Sequence, residues 1–174
     1  LKNIIMPFSE NDVGATNGTL KLRNWKDSIL TIFQKVEYDY NNLIKNSFSR
    51  IFDNSISFFG IGAVACYRKA AIEKIGFFKK DTLAEDMDIV IELRKNGYKA
   101  INVKDSIGYT IAPSDFKGLY KQRARWWAGV LQSLIKNREM LSAKNGLAYT
   151  FLFANQAFWF FYGIISFPII IYQI

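Results

Sequence analysis

The chain has 174 residues, half of them hydrophobic, with a formal net charge of +8; that is enough length for one domain with a real core, and enough positive charge to imply an acidic partner. It contains no histidine, which excludes imidazole catalysis, a Ser/His/Asp triad and histidine-held metals. Cys66 is its sole cysteine, which excludes an internal disulfide and a zinc site, so any metal would need oxygen ligands.

In chain order, VGATNGTLKL (13–22) has the β-branched content of a strand. In 25–46, Ile29, Ile32, Phe33, Val36 and Tyr40 recur at intervals of three and four, predicting an amphipathic helix. SFFGIGAVACYR (57–68) reads as a tight turn entering a buried strand, and KAAIEKIG (69–76) as a short helix stopped by Gly76. TLAEDMDIVIELRKNG gathers Glu85, Asp86 and Asp88 ahead of an apolar helix that Asn96-Gly97 ends. The carboxylates are expected to cap that helix, and Asp88, about 200° round it from Asp86, to pair away from any site. YKAINV (98–103) and IGYTI (107–111) read as two strands with a turn at Lys104-Asp105. Helices alternating with strands predict an α/β fold.

Residues 116–141 predict a long amphipathic helix, and 114–146 carry seven Lys or Arg against two acids, a pattern suited to a membrane surface. From Leu147 to Ile174 no charged residue occurs over 28 positions, longer than the roughly 20 residues that cross a bilayer, so a membrane segment is expected, its basic flank on the cytoplasmic side. The start at Leu1 and the stop inside an apolar run read as cut ends of a longer protein. The charge lies beside this apolar run, so lipid, not nucleic acid, is the expected anionic surface.

In QRARW, Gln122, Arg125 and Trp126 share one helical face, so an amide, a guanidinium and an indole point into the same space. Such a trio suits phosphate oxygens beside a sugar ring. It equally suits aromatic and arginine anchors at a lipid interface, and the spacing alone leaves both readings open.

FFGIGAVACYRKAAIEKIGFF, TLAEDMD, NGYKA, YTIAPSDFKGLYKQRARWWAG and the apolar run resemble, in order and spacing, the processive family 2 glycosyltransferases: the cellulose, chitin, hyaluronan and poly-N-acetylglucosamine synthases. The resemblance covers essentially the whole chain. It implies the C-terminal half (1–113) of a Rossmann-like type A glycosyltransferase domain, then an interfacial helix region carrying QRARW (114–146), then a truncated membrane segment (147–174). The implied reaction is inverting transfer from a nucleotide diphosphate sugar to a growing polysaccharide at the cytoplasmic membrane face. Asp86 would be the general base and Glu85 a neighbouring binder. Gln122, Arg125 and Trp126 would close over donor and acceptor, with Phe59 and Gly60 in the loop beside the acceptor, where a plain turn glycine is the rival reading. A divalent metal, Mg or Mn, is expected in the intact enzyme with its aspartate ligands upstream of Leu1, so this stretch alone is expected to be inactive. Asp86-Met87-Asp88 could itself be a metal-binding Asp-x-Asp, but its place between FFGIG and QRARW argues against that. Ile111 departs from the acid that often precedes Ala-Pro in relatives. Single transfer to a lipid-linked acceptor, or a non-catalytic membrane subunit that binds a partner or lipid, are the competing functions.

Overall fold

The structure is a computed structural model that describes residues 1–51, 62–142, 144 and, between 150 and 161, 150, 151, 153–155, 157, 158 and 161. Phe59, Gly60 and most of the expected membrane segment lie outside the described residues. Among the described residues, no helix is long and apolar enough to cross a membrane.

The elements run α1 (Lys2–Ile5), β1 (Val13–Leu22), α2 (Ile29–Ile51), β2 (Ala65–Tyr67), α3 (Lys69–Ile75), α4 (Glu85–Lys95), β3 (Lys99–Thr110) and α5 (Phe116–Lys136). They form the α/β fold that the alternation predicted. The three strands make one sheet in the order β2-β1-β3, with β1 central, antiparallel to β2 and parallel to β3. The parallel pair is joined by a crossover through α3 and α4, which is how parallel neighbours must be linked.

β1 takes the predicted bounds, but β2 is half-buried, not buried, because it lies at the sheet edge. The two strands expected over 98–111 are a single strand. Its first half pairs with β1 at Asn17↔Asn102 and its second resumes at Thr19↔Ile107, so the extra residues bulge out of a continuing parallel ladder. Thr19 Oγ1 donates to the Lys104 carbonyl (2.8 Å), tying down the bulge that resembled a turn in the sequence.

Helix ends follow local chemistry. α2 begins after Ser28, at the first residue of the apolar spacing and four residues into the stretch read as helix. The Thr31 N–H donates to Ser28 Oγ (3.2 Å) and the Ser28 N–H to Thr31 Oγ1 (3.0 Å), a reciprocal cap that fixes the first turn. α3 and α4 stop at the predicted Gly76 and Gly97, both with left-handed φ (82° and 83°). α5 starts at Asp115, whose carboxylate accepts from the Gly118 N–H (2.8 Å).

Two apolar clusters form the core. Ile89, Val90 and Leu93 of α4 pack on Ala15 and Ala100 of the sheet and on Ala71, Ile72 and Ile75 of α3. Met87 and Ile91, on the neighbouring face of α4, pack with Leu134, Met140 and Phe153. α4 is therefore wedged between sheet and α5, which sets the position of its acidic N-terminus.

Candidate active site

The first turn of α4 holds Glu85, Asp86 and Asp88, but none of them caps it. The N-cap position is Ala84, and no side chain there accepts a helix N–H. The three acids lie inside the helix, near the positive end of its dipole, and each is turned to a different environment.

Asp86 is half-buried. Its Oδ1 accepts from the Met87 N–H (2.9 Å) and its Oδ2 from the Gly62 N–H (3.2 Å), so two backbone amides from separate segments orient one carboxylate. Burial pushes its pKa above the ordinary aspartate value, the two amides pull it down, and the charge of Glu85 adds to the rise; burial dominates. Glu85 is exposed.

Asp88 is buried, 4% exposed, and faces away from Asp86 into α5. Ser133 Oγ and Asn137 Nδ2 (3.1 Å) donate to its Oδ1, while Thr82 Oγ1 (2.7 Å) and Lys136 Nζ (2.9 Å) donate to its Oδ2. Its pairing away from the site agrees with the sequence expectation. The same arrangement does not fit an Asp-x-Asp metal site, because the oxygens of Asp88 are occupied by four donors and Asp86 points elsewhere. Among the described residues, no group of three or more acids or cysteines could hold a metal ion.

α5 crosses the start of α4 at very close range. A Cβ on Gly129 would stand 2.8 Å from the Ala84 nitrogen and 2.8 Å from the Leu83 carbonyl carbon, so only glycine permits this approach. One turn on, the Leu83 N–H donates to Gln132 Oε1 (2.9 Å). Gln122, Arg125 and Trp126 precede Gly129 by seven, four and three residues, which places them on the same stripe of α5. The QRARW trio and Asp86 thus belong to two helices whose crossing point is Gly129 on Ala84, two residues from Asp86. Arg125 is exposed, while Gln122 and Trp126 are half-buried. Gln122 Oε1 is enclosed and, among the described residues, has no donor.

Several participants carried no signal in the sequence. Arg123, an intervening residue of QRARW, donates to Glu37 of α2 (2.6 Å) and lies 4.5 Å from the centre of the Trp126 ring, so it steadies that indole. Burial raises the Glu37 carboxyl above its usual value, with Arg123 pulling against it. Tyr67 at the end of β2 has an enclosed hydroxyl without a partner among the described residues, and its ring meets Phe78 edge-on at 5.4 Å. Its pKa is pushed up to about 12, first by burial and then by the charges of Asp86 and Glu85, so the phenol stays protonated beside the carboxylates.

The candidate site is thus a backbone-held carboxylate at the crossing of two helices in an α/β module. The chain belongs to the glycosyl transferase family group 2, whose model matches residues 8–173. It is similar to poly-beta-1,6-N-acetyl-D-glucosamine synthase of Staphylococcus aureus (strain COL), 30% identical over 127 residues, covering 72% of this chain and 30% of the relative. The enzyme of the same name from Staphylococcus epidermidis (strain RP62A) is 30% identical over 137 residues, 77% of this chain and 32% of the relative. Glucomannan 4-beta-mannosyltransferase 1 of Oryza sativa subsp. japonica is 25% identical over 145 residues, 78% of this chain and 27% of the relative. The chain therefore spans roughly a quarter to a third of the length of these curated relatives.

Proposed function

We propose that this chain contributes the general base and the acceptor side of a membrane glycosyltransferase that extends a polysaccharide from a nucleotide diphosphate sugar. The family membership supports sugar transfer, and both kinds of relative are named for building polysaccharides. The observation that carries the assignment of Asp86 is its carboxylate, half-buried at the crossing of α4 with the QRARW face and oriented by the Gly62 and Met87 amides.

In the proposed reaction, the acceptor hydroxyl oxygen forms a bond to the anomeric carbon of the donor while Asp86 takes the hydroxyl proton. The bond from that carbon to the diphosphate breaks on the opposite side, and the electron pair leaves with the phosphate, so the configuration inverts. Arg125 opposes the charge growing on the diphosphate, the electrostatic contribution that tends to dominate in such sites. Gln122 Oε1, without a donor among the described residues, accepts from a sugar hydroxyl, and Trp126 offers its flat face to the ring. Glu85 is exposed beside Asp86 and binds the acceptor. Phe59 and Gly60 keep their proposed place in the acceptor loop. The burial that raises the Asp86 pKa makes its carboxylate a stronger base. The divalent metal expected of the intact enzyme would draw its aspartate ligands from outside this stretch. The reaction is placed at the cytoplasmic membrane face, supported by the basic α5 and the uncharged run from 147 to 174.

The test is Asp86→Asn in the full-length protein. Turnover should fall about 10²–10⁴-fold, with donor KM and thermal unfolding nearly unchanged. Wild-type rate should be lost as pH falls through the raised carboxyl pKa, so the acid limb begins above the pH expected of a free aspartate. Undiminished turnover in the variant removes Asp86 from the mechanism, and a single added sugar in place of a polymer favours the lipid-acceptor reading.

A further inference from the structure

The chain enters β2 and leaves it under very different restraint. Just after β2, the Arg68 N–H donates to the Gly14 carbonyl (2.8 Å), and the Arg68 guanidinium donates to the carbonyls of Val13 (2.8 Å), Phe8 (2.8 Å) and Glu10 (2.6 Å). Before β2, Gly62 and Ala63 are exposed, so the first fixed point among the described residues is Val64. Gly62 is also the residue whose N–H reaches Asp86 Oδ2 (3.2 Å). The anchoring of Val64 therefore decides where that amide stands.

Val64 is anchored twice. Its carbonyl accepts from the Gly18 N–H (2.8 Å), and its two methyls lie where two adjacent strands lack side chains. A Cβ on Gly18 of β1 would stand 2.5 Å from Val64 Cγ1, and one on Gly108 of β3 would collide with Val64 Cγ2. Both approaches are far inside van der Waals range, so a side chain at either position displaces the valine. The bulge of β3 completes the seat: it brings the Ser106 carbonyl over Gly18, and Thr19 Oγ1 holds it by donating to the Lys104 carbonyl (2.8 Å). A bulge can re-aim the groups beside it, and here the segment it helps to seat is 62–64.

We propose that Gly18, Gly108 and the β3 bulge form a socket for Val64 that holds the Gly62 amide against Asp86, which makes Val64, Gly18 and Gly108 positioning residues for the proton-accepting carboxylate. That Asp86 takes the proton rests on the function proposed above; the socket itself goes beyond it. Of the two amides on the carboxylate, that of Met87 belongs to the same helix and moves with it, whereas that of Gly62 ties it to the sheet. Burial raises the Asp86 pKa and the Gly62 amide opposes the rise, so loss of that bond lifts the pKa further. The titratable groups that act on the carboxylate are Glu85 in the same turn and, from β2, the protonated Tyr67 phenol, and neither is altered by the substitutions that test the socket.

The test compares Gly108→Ala, Val64→Ala and the pair in the full-length protein. In Gly108→Ala the new methyl drives Val64 from its seat, so kcat should fall by as much as about 10²-fold, as for a misplaced catalytic group, with donor KM unchanged and the acid limb of the pH–rate profile moved to higher pH. The pair should regain most of the rate and return the acid limb. A Cβ at 108 collides with the methyl that Val64→Ala removes, while Val64 Cβ stands at an ordinary 3.6 Å. Val64→Ala alone takes two methyls from a half-buried residue and should move both readouts the same way by less, which gives the answer should Gly108→Ala not fold. An acid limb unmoved in Val64→Ala and Gly108→Ala, or a pair no better than Gly108→Ala, overturns the proposal. Hydrogen exchange of the Gly18 amide, faster in Gly108→Ala and slowed again in the pair, reads the socket without activity, and unchanged exchange overturns it. Full turnover of Asp86→Asn would instead remove the base, leaving the exchange pattern to judge the socket.

Discussion

α4 and α2 both lie against β1 and β3, yet they are held by opposite means. α4 turns an apolar face inward, and Ile91 and Leu93 are fully buried. α2 turns amides and a lysine inward and bonds them to strand and loop carbonyls, leaving its apolar residues outside. The side that the strands present to both is shared: Ala100 packs with α4, and Asn102, two residues on, donates to Asn46 of α2 (2.7 Å). Apolar burial makes α4 part of the core and needs no partner beyond it. Directional bonds to main-chain carbonyls fix α2 in one register and leave its apolar face exposed. One helix is held by apolar burial, the other by directed hydrogen bonds.

The sharpest way to break the α4 side is Asp88→Ala. The substitution leaves the Ser133 hydroxyl, fully buried, without the Asp88 acceptor, takes from Asn137 Nδ2 one of its two acceptors, the other being the Ser133 carbonyl, and strips Lys136 of one of its two carboxylates. Removing one member of a buried charged network costs about 3–5 kcal/mol, read as a fall in the denaturation midpoint. A loss below 1 kcal/mol would mean that the α4–α5 crossing is held by its apolar contacts alone.

That network shows where the sequence is legible and where it stops. The glycine stops of α3 and α4, the bounds of β1 and the shared face of Gln122, Arg125 and Trp126 depend on neighbours a few residues away, and local spacing encodes them. The separation of Asp88 from Asp86 was readable for the same reason, since two residues on a helix point apart. The bulge at Lys104–Ser106 was misread because a turn and a bulge use the same polar residues, and only pairing with β1 distinguishes them. Periodicity located the apolar stripe of α2 but not its direction, which is set by carbonyls at Gly18, Leu20 and Pro113. Glu37 and Arg123 are 86 positions apart, and no pattern in either segment announces the other. The acids of TLAED suggested a cap because capping residues and first-turn acids share a composition, whereas the backbone places Ala84 at the cap.

Ile91→Ala tests the same helix by its apolar face. Ile91 is fully enclosed by Ala84, Met87, Leu134, Met140 and Phe153, so the substitution leaves a cavity and should cost about 2–5 kcal/mol. The expected sign of any effect on sugar transfer is also a loss, because the cavity opens directly behind the first turn that carries Asp86.

On the α2 side the corresponding probe is Lys45, a residue 5% exposed whose ammonium donates to the Gly18 carbonyl. Burial lowers its pKa from 10.5 to about 8. The native state therefore sheds this proton while the unfolded chain still holds it. Between about pH 8 and 10.5 the unfolded state binds more protons, so stability rises with pH, by at most about 1.4 kcal/mol per unit from this group. Denaturation midpoints of the wild type should climb across that window relative to Lys45→Met, which lacks the group. Parallel profiles would show that the amine reaches water.

The smallest effect is expected where the contrast with α4 is greatest. Phe33 is 66% exposed at the centre of the α2 stripe, and Phe33→Ser removes an aromatic ring that touches little of the fold. Without lipid, the unfolding midpoint should shift by less than the equivalent of about 0.5 kcal/mol, as for other surface substitutions, against several for Ile91→Ala. A large loss without lipid would place Phe33 in a protein interior and make α2 a core helix after all. A small loss would show that the ring adds little to the fold, so this one measurement separates the outward face of α2 from the inward face of α4.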